Sequence, residues 1–199
     1  MRLFSYVVAR DYGFAPNPFH GWCSLATCKP VIRRVAGCGD WVVGTGSATK
    51  GRQDRLVYAM LVSNVLTYNE YWSDQRFRAK RPNLRGSLKQ AYGDNIYHRP
   101  TATAAWQQED SHHSFPGGQP NPANVDDDTK TDRVLVAEVF TYWGGNGPVL
   151  PERFRDSGGV DVRRAGRGHR SEFPDDVVQK FAAWLSTQPA GYAGKPLDW

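Results

Sequence analysis

Leu56-Val-Tyr-Ala-Met-Leu-Val-Ser-Asn-Val65 is apolar on both faces over most of its length. A strand with one wet face alternates apolar and polar residues. One covered on both sides does not, so this segment reads as a central or barrel-wall strand. Its unbroken part, Leu56 to Val62, is the longest apolar run in the chain and is far too short to cross a bilayer. Upstream, a Gly39-Asp40 turn leads into Trp41 to Ser47, and the β-branched and aromatic residues from Arg2 to Ala9 form a first strand. Downstream, Ile96 to His98 is a short strand behind the turn Gly93-Asp94-Asn95. Arg133 to Tyr142 is a second nearly continuous apolar run, closed by Gly144, Gly145 and Gly147.

Helical signals are sparser. Pro30 opens a short helix to about Ala36, and Thr67 to Arg76 is a short helix or wide turn. Pro174, Asp175 and Asp176 suit a helix N-terminus, and Val177, Val178, Phe181, Trp184 and Leu185 form one apolar stripe. An amphipathic C-terminal helix over about residues 174–187 follows. Pro116 to Pro122 holds five Pro or Gly residues and Asp126 to Asp128 is an acidic run, so residues 114–131 are expected to form a flexible, exposed insertion. The expectation is a single α+β domain over residues 1–199, with short helices and a curved, partly closed mixed sheet of roughly five to seven strands.

Composition narrows the function classes. Of 199 residues 40% are apolar, enough for a packed core and incompatible with a wholly disordered chain. The net charge of +5 is unevenly spread: residues 1–100 hold 15 basic and 6 acidic side chains, and residues 101–199 hold 10 and 14. The basic half suits a polyanionic partner. Arg10 and Asp11 follow the first apolar stretch with no small-residue cleavage pattern, so no signal peptide is read. A cytoplasmic location without a membrane partner is expected.

His20, Cys23, Cys28 and Cys38 are four residues of zinc-ligand type, but none forms a Cys-x2-Cys knuckle. The plainer reading is reduced thiols packed as small hydrophobes, with no metal and no cofactor. Mononucleotide P-loop, dinucleotide, zinc-deaminase and Ser/His/Asp signatures are all missing.

A base-binding pocket needs flat faces around a ring and fixed polar groups at its edge. The loop from Asp11 to Gly21 is unusually aromatic, and Tyr12, Phe14 and Trp22, with Tyr71 and Trp72, are candidate faces. Asn17, Asp94 and Asn95 are candidate readers of the base edge, and Tyr97 is a further candidate ligand contact. Lys29, Arg33 and the segment from Arg76 to Lys89, which has no acid between Asp74 and Asp94, are candidate phosphate contacts. Asp74 and Arg76 are read both as part of this site and as a local ion pair. Trp41 and Tyr58 read as core residues, and Asp40 as a turn residue. Tyr12–Trp22, Lys29–Arg33, Tyr71–Phe77 and Asp94–Tyr97 are expected to converge on one pocket. An enzyme is the alternative, with Asp94, His112 and His113 as catalytic candidates and His98 and Cys28 beside them, since His is the natural acid–base group near neutral pH. An interaction subunit using residues 100–132 as its contact surface is a third reading.

Several strings point the same way together. Asp11-Tyr-Gly-Phe-Ala-Pro-Asn-Pro-Phe19, Leu25-Ala-Thr-Cys-Lys-Pro-Val-Ile-Arg33, Gly39-Asp-Trp-Val-Val-Gly44, Tyr71-Trp-Ser-Asp-Gln-Arg-Phe77 and Gly93-Asp-Asn-Ile-Tyr97 resemble the second class of nucleotide-modification-associated domains, from about residue 3 to Trp143. That resemblance implies a setting in bacterial or phage systems that modify or defend DNA. It implies a nucleotide or nucleic-acid partner, DNA before RNA, and protein partners within such a system. The order of the Gly39-Asp40 turn, two strands and Tyr71-Trp-Ser-Asp74 is also similar to PUA-like barrels of the EVE and YTH kind, which implies a pseudo-barrel; a fold does not assign a function.

Overall fold

A computed structural model describes residues 1–156, 158–164 and 166–199. In chain order its strands are β1 (Leu3–Val8), β2 (Cys23–Leu25), β3 (Trp41–Gly46), β4 (Leu56–Leu61), β5 (Asn64–Leu66), β6 (Tyr97–His98), β7 (Gln107–Gln108), β8 (Val134–Ala137), β9 (Val139–Tyr142), β10 (His169–Arg170) and β11 (Gly191–Tyr192). The α-helices are α1 (Pro30–Val35), α2 (Tyr68–Ser73), α3 (Leu88–Ala91), α4 (Pro122–Asp128) and α5 (Asp175–Leu185). The chain divides into two compact units. One holds residues 1–12, 36–63 and 137–199, the other residues 13–35 and 64–136.

The first unit is built on a six-stranded mixed sheet in the order β10-β1-β3-β4-β9-β11. β1 and β3 are parallel, while β4 runs antiparallel to both β3 and β9. The absence of alternation in Leu56–Leu61 has its cause here. β4 is a central strand, and Leu56 and Ala59 join Leu3, Trp41 and Val43 in one apolar cluster. Helix α5 covers that cluster with Val178, Phe181 and Leu185, the stripe read from the sequence. Trp41 and Tyr58 are buried core residues. Asp40 is the turn residue it was read to be, accepting hydrogen bonds from the backbone N–H groups of Arg2 (2.8 Å) and Gly37 (3.1 Å). The sheet is open, with β10 and β11 at its two ends, and no closed barrel forms among the described residues, so the pseudo-barrel expectation is corrected.

The second unit has a three-stranded sheet, β2-β8-β5, and the two-stranded β6-β7. Two further expectations are corrected. The apolar runs 56–65 and 133–142 are not single strands: each supplies one strand to each sheet, β4 then β5 and β8 then β9, broken near Ser63 and at Glu138. Residues 114–131 contain helix α4, capped by Asn121 Oδ1 and opened by Pro122, so that stretch is not wholly loop. The short helix after Thr67 is α2, held by a capping box in which Thr67 and Glu70 satisfy each other's backbone N–H groups.

Gly44, in the centre of β3, has a specific packing role. A Cβ there would lie 2.5 Å from Val8 Cγ2 and 2.6 Å from the Tyr58 ring, both buried. Gly44→Ala is expected to lose about 1–3 kcal/mol through overpacking, measured as a shift of the urea midpoint without a change of slope. An unchanged midpoint would show that β3 and β4 are not packed this closely.

Candidate catalytic centre in the second unit

Asp128 is the last residue of α4 and is buried, at 1% exposure. A carboxylate removed from water needs several donors, and Asp128 has three. Oδ1 accepts the backbone N–H of Cys28 at 2.5 Å. Oδ2 accepts the Tyr97 hydroxyl at 2.9 Å and lies 2.7 Å from His113 Nδ1. The opposite ring nitrogen, His113 Nε2, lies 3.8 Å from Cys28 Sγ, within hydrogen-bond range for sulfur. Cysteine, imidazole and carboxylate therefore stand in line, with the half-buried thiol at the outer end. Burial opposes a charge on His113, but the bonds to Asp128 and Cys28 outweigh it and raise the imidazole from 6.5 to about 10. With acceptors at both nitrogens the ring is an imidazolium at neutral pH. The ring of Phe14, buried, packs against it at 4.7 Å.

The backbone around Cys28 is held in an unusual form. Cys28 and Lys29 have φ of 57° and 44°, the left-handed region that L side chains seldom adopt. Arg33 holds the turn in place. It is fully buried, and its Nε donates to the Cys28 carbonyl at 2.8 Å. Nη2 donates to the Asp128 carbonyl at 2.5 Å, and Nη1 to the Arg133 carbonyl at 2.8 Å and the Tyr68 hydroxyl at 2.9 Å. One guanidinium thus ties the cysteine turn to the C-terminal end of α4, where a cation also suits the helix dipole. Arg33 was expected at a phosphate, but its donors are turned inward.

A second buried network surrounds Lys80, also fully buried. Its ammonium donates to Asn17 O (2.9 Å), Asn17 Oδ1 (2.6 Å) and Trp22 O (2.9 Å). Asp94, buried nearby, accepts from Ser24 Oγ at 2.7 Å and Tyr71 Oη at 2.8 Å. Burial lowers Lys80 to about 8 against the attraction of Asp94. Burial likewise raises Asp94, against Lys80, Ser24 and Tyr71. Three oxygens on three ammonium protons keep Lys80 charged at neutral pH. Cys23, in the same interior, is pushed up to about 12 by burial.

Of the four segments expected to converge, Asn17, Trp22, Tyr71 and Asp94 are joined through Lys80 and Ser24, and Cys28, Arg33 and Tyr97 share Asp128 as partner. They form buried scaffolding, not pocket walls: Phe14, Asn17, Tyr71, Asp94, Asn95 and Tyr97 are all buried. Asn95 donates to the Tyr71 and Phe77 carbonyls. Lys29 is half-buried, and burial lowers its ammonium below the ordinary lysine range. Tyr12 belongs to the first unit, where its carbonyl accepts from the Trp199 indole. His112 is exposed and packs edge-on to Phe14 and Tyr92, outside the relay. Trp22 is half-buried under the Arg76 guanidinium at 5.3 Å, and Arg76 pairs with Asp74, as the local reading of that pair anticipated. Trp72 stacks on His98. Among the described residues no group of three or more His, Cys, Asp or Glu is arranged to hold a metal ion, and no helix is long and apolar enough to cross a membrane.

Asp128, Lys80 and the clamp role of Arg33 were not legible beforehand. Asp128 sits in a run of three aspartates that reads as a solvated patch; the overlooked signal was Asn121-Pro122, which starts a helix and turns only the third aspartate inward.

Two measurements check this geometry. Arg33→Met leaves several buried carbonyls unpaired at about 1–3 kcal/mol each, so a loss of at least roughly 3 kcal/mol, or about 6–12 °C in Tm, is expected; a shift below about 2 °C would contradict the clamp. Because the folded-state pKa of His113 is raised, its contribution is complete below its ordinary value of 6.5 and disappears as pH rises through about 10. His113→Gln should therefore lower Tm more at pH 6 than at pH 10; an equal deficit at both would contradict the ion pair.

No curated protein and no solved structure matches the chain. Residues 1–199 match the family model described as nucleotide modification associated domain 2, and the protein belongs to that family.

Proposed function

We propose that this protein is an enzyme that modifies a nucleotide or nucleic-acid base by covalent catalysis, with Cys28 as nucleophile, His113 as acid and Asp128 as the carboxylate that orients it. One observation carries the reading: Cys28 Sγ lies 3.8 Å from an imidazole whose other nitrogen is 2.7 Å from a buried carboxylate. A cysteine sulfur held beside an imidazole that a carboxylate orients is the nucleophile–partner arrangement of covalent catalysis. In the proposed step the sulfur lone pair forms a bond to an electrophilic carbon of the substrate. The bond from that carbon to its leaving group breaks, and the leaving group takes the Nε2 proton of His113 and departs. Water then attacks the same carbon and gives one proton to Nε2 while the S–C bond breaks with its electron pair returning to sulfur, so a hydroxyl replaces the leaving group and both residues are restored. Asp128 keeps its three contacts throughout and holds the tautomer, as the third member of such relays does. Tyr97 and Arg33 position Asp128 without touching substrate. The family's description supports a nucleotide as substrate; DNA in preference to RNA, and a role in a modification or defence system, follow from the resemblance set out above.

The chain carries its own controls. Cys38 is an exposed thiol and Cys23 a buried one. With iodoacetamide at pH 6, Cys28 should be alkylated at least about tenfold faster than Cys38, followed by peptide mass spectrometry, and His113→Gln should bring it down to the Cys38 rate. Equal rates for Cys28 and Cys38 in the native protein would end the proposal. Once a nucleotide substrate is in hand, Cys28→Ser should abolish its mass change, and His113→Gln should slow it by roughly 10²–10⁴-fold.

A further inference from the structure

On the surface of the second unit, an open recess of about 410 Å³ is lined by Asn69, Trp72, Ser73, His98, Arg99 and Gln107, with Pro100 at its edge. Its side is a stack of planar groups. The Trp72 and His98 rings lie 4.1 Å apart and 18° from parallel, and the Arg81 guanidinium sits 3.6 Å from the Trp72 ring centre. Arg99 lies 4.0 Å over the ring of Trp106. His98 is the residue after Tyr97 on β6. Side chains on a strand alternate, so one points to Asp128 while the next reaches the recess.

Charge is distributed unevenly around this recess. His98 is within salt-bridge distance of Glu109, and Arg99 pairs with Asp132. Arg78 and Arg81 have no carboxylate partner within salt-bridge distance among the described residues. They lie close enough that Arg81 is lowered from its ordinary value by burial and then by repulsion from Arg78, against a smaller attraction from Glu109. Two guanidiniums held together with no salt-bridged acid favour a bound anion. Arg85 and Lys89 follow in the sequence, with no acid between Asp74 and Asp94.

We infer that the Trp72–His98–Arg99 recess, with the Arg78–Arg81 line beside it, binds a single-stranded nucleic acid, so that the substrate is a base within a strand and not a free nucleotide. The inference rests on the reading of this chain as a nucleotide-modifying protein. Planar aromatic and guanidinium groups stack with bases whatever their sequence, and a basic track follows the phosphates. A duplex keeps its bases stacked inside and offers no ring to this surface.

The test measures anisotropy of a labelled single-stranded 12-mer of thymidylate, with unlabelled dTMP and a 12-base-pair duplex as competitors, at 50 and 200 mM NaCl. The strand should bind and should lose roughly tenfold in affinity across that range, as expected for two to three neutralised phosphates at a slope near −0.7 each. Trp72→Leu should weaken it by about tenfold, the loss of one stacked base. Arg78→Gln, at an exposed position that leaves the stack intact, should flatten the salt dependence. dTMP and the duplex should compete at least about tenfold less well than the strand. The inference is overturned if both variants stay within twofold of the native protein, or if dTMP or the duplex competes as well as the strand. Iodoacetamide labelling of Cys28 in the same variants separates the two proposals. It should be unchanged in Trp72→Leu and Arg78→Gln, because the recess is not part of the relay. A native protein that binds the strand but shows an unreactive Cys28 would remove the catalytic reading and leave the strand site standing.

Discussion

The buried carboxylate of Asp128 is where most of the second unit's polar chemistry meets. An isolated carboxylate in a protein interior is strongly unfavourable, and this one is tolerable because three donors from three different segments converge on it. They are the Cys28 amide from the turn before α1, the Tyr97 hydroxyl from β6, and the ring of His113 from the loop before α4. The same residue's carbonyl accepts from Arg33 and from the Tyr68 hydroxyl. Segments far apart in the chain are therefore registered against one another by charge-assisted hydrogen bonds, which are more directional than apolar contact. The left-handed backbone at Cys28 and Lys29 persists because these bonds over-determine it.

Arg33 and Lys80 solve one problem in two places. Each is a fully buried cation, and each is saturated by backbone carbonyls more than by a paired acid. Removing either would strand several acceptors at once. Their geometry is that of scaffold, and it keeps their charge away from any ligand. The exposed cations of Arg78 and its neighbours are different: they keep their charge at the surface, where a phosphate can reach it. The chain thus holds two kinds of basic residue, those buried to hold the fold and those that face solvent, and the sequence marks no such division.

Much of the framework was nevertheless readable from local rules. β1, β3, α1 and α5 lie within one or two residues of their expected limits, and α2 ends three residues before the expected Arg76. Each carries a local cause: β-branched runs, Pro at a helix start, a capping box, a one-sided apolar stripe. The two long apolar runs were misjudged for a physical reason as well. Continuous apolarity reports burial on both faces, and it does not report that the chain changes sheets at Ser63 or Glu138. The candidate site was half legible. His113 and Cys28 stood among the candidates because their side chains are reactive types. Asp128 was hidden by two identical neighbours, and Phe14, Tyr71 and Tyr97 were assigned to a ligand because aromatic residues look alike whether they line a pocket or fill a core.

Composition, charge asymmetry and periodicity by themselves established a folded α+β chain with a basic first half, a C-terminal amphipathic helix and a fully covered central strand. Those properties depend on residues close in sequence, whose interactions are nearly the same in any context. Which acid faces which histidine, which arginine is turned inward, and whether the sheet closes on itself depend on contacts between residues up to about a hundred positions apart, such as Cys28 with Asp128 and Arg33 with Arg133. Only the tertiary structure decides these, because a buried polar group takes whatever partners the packed backbone delivers to it, and no local pattern specifies that delivery.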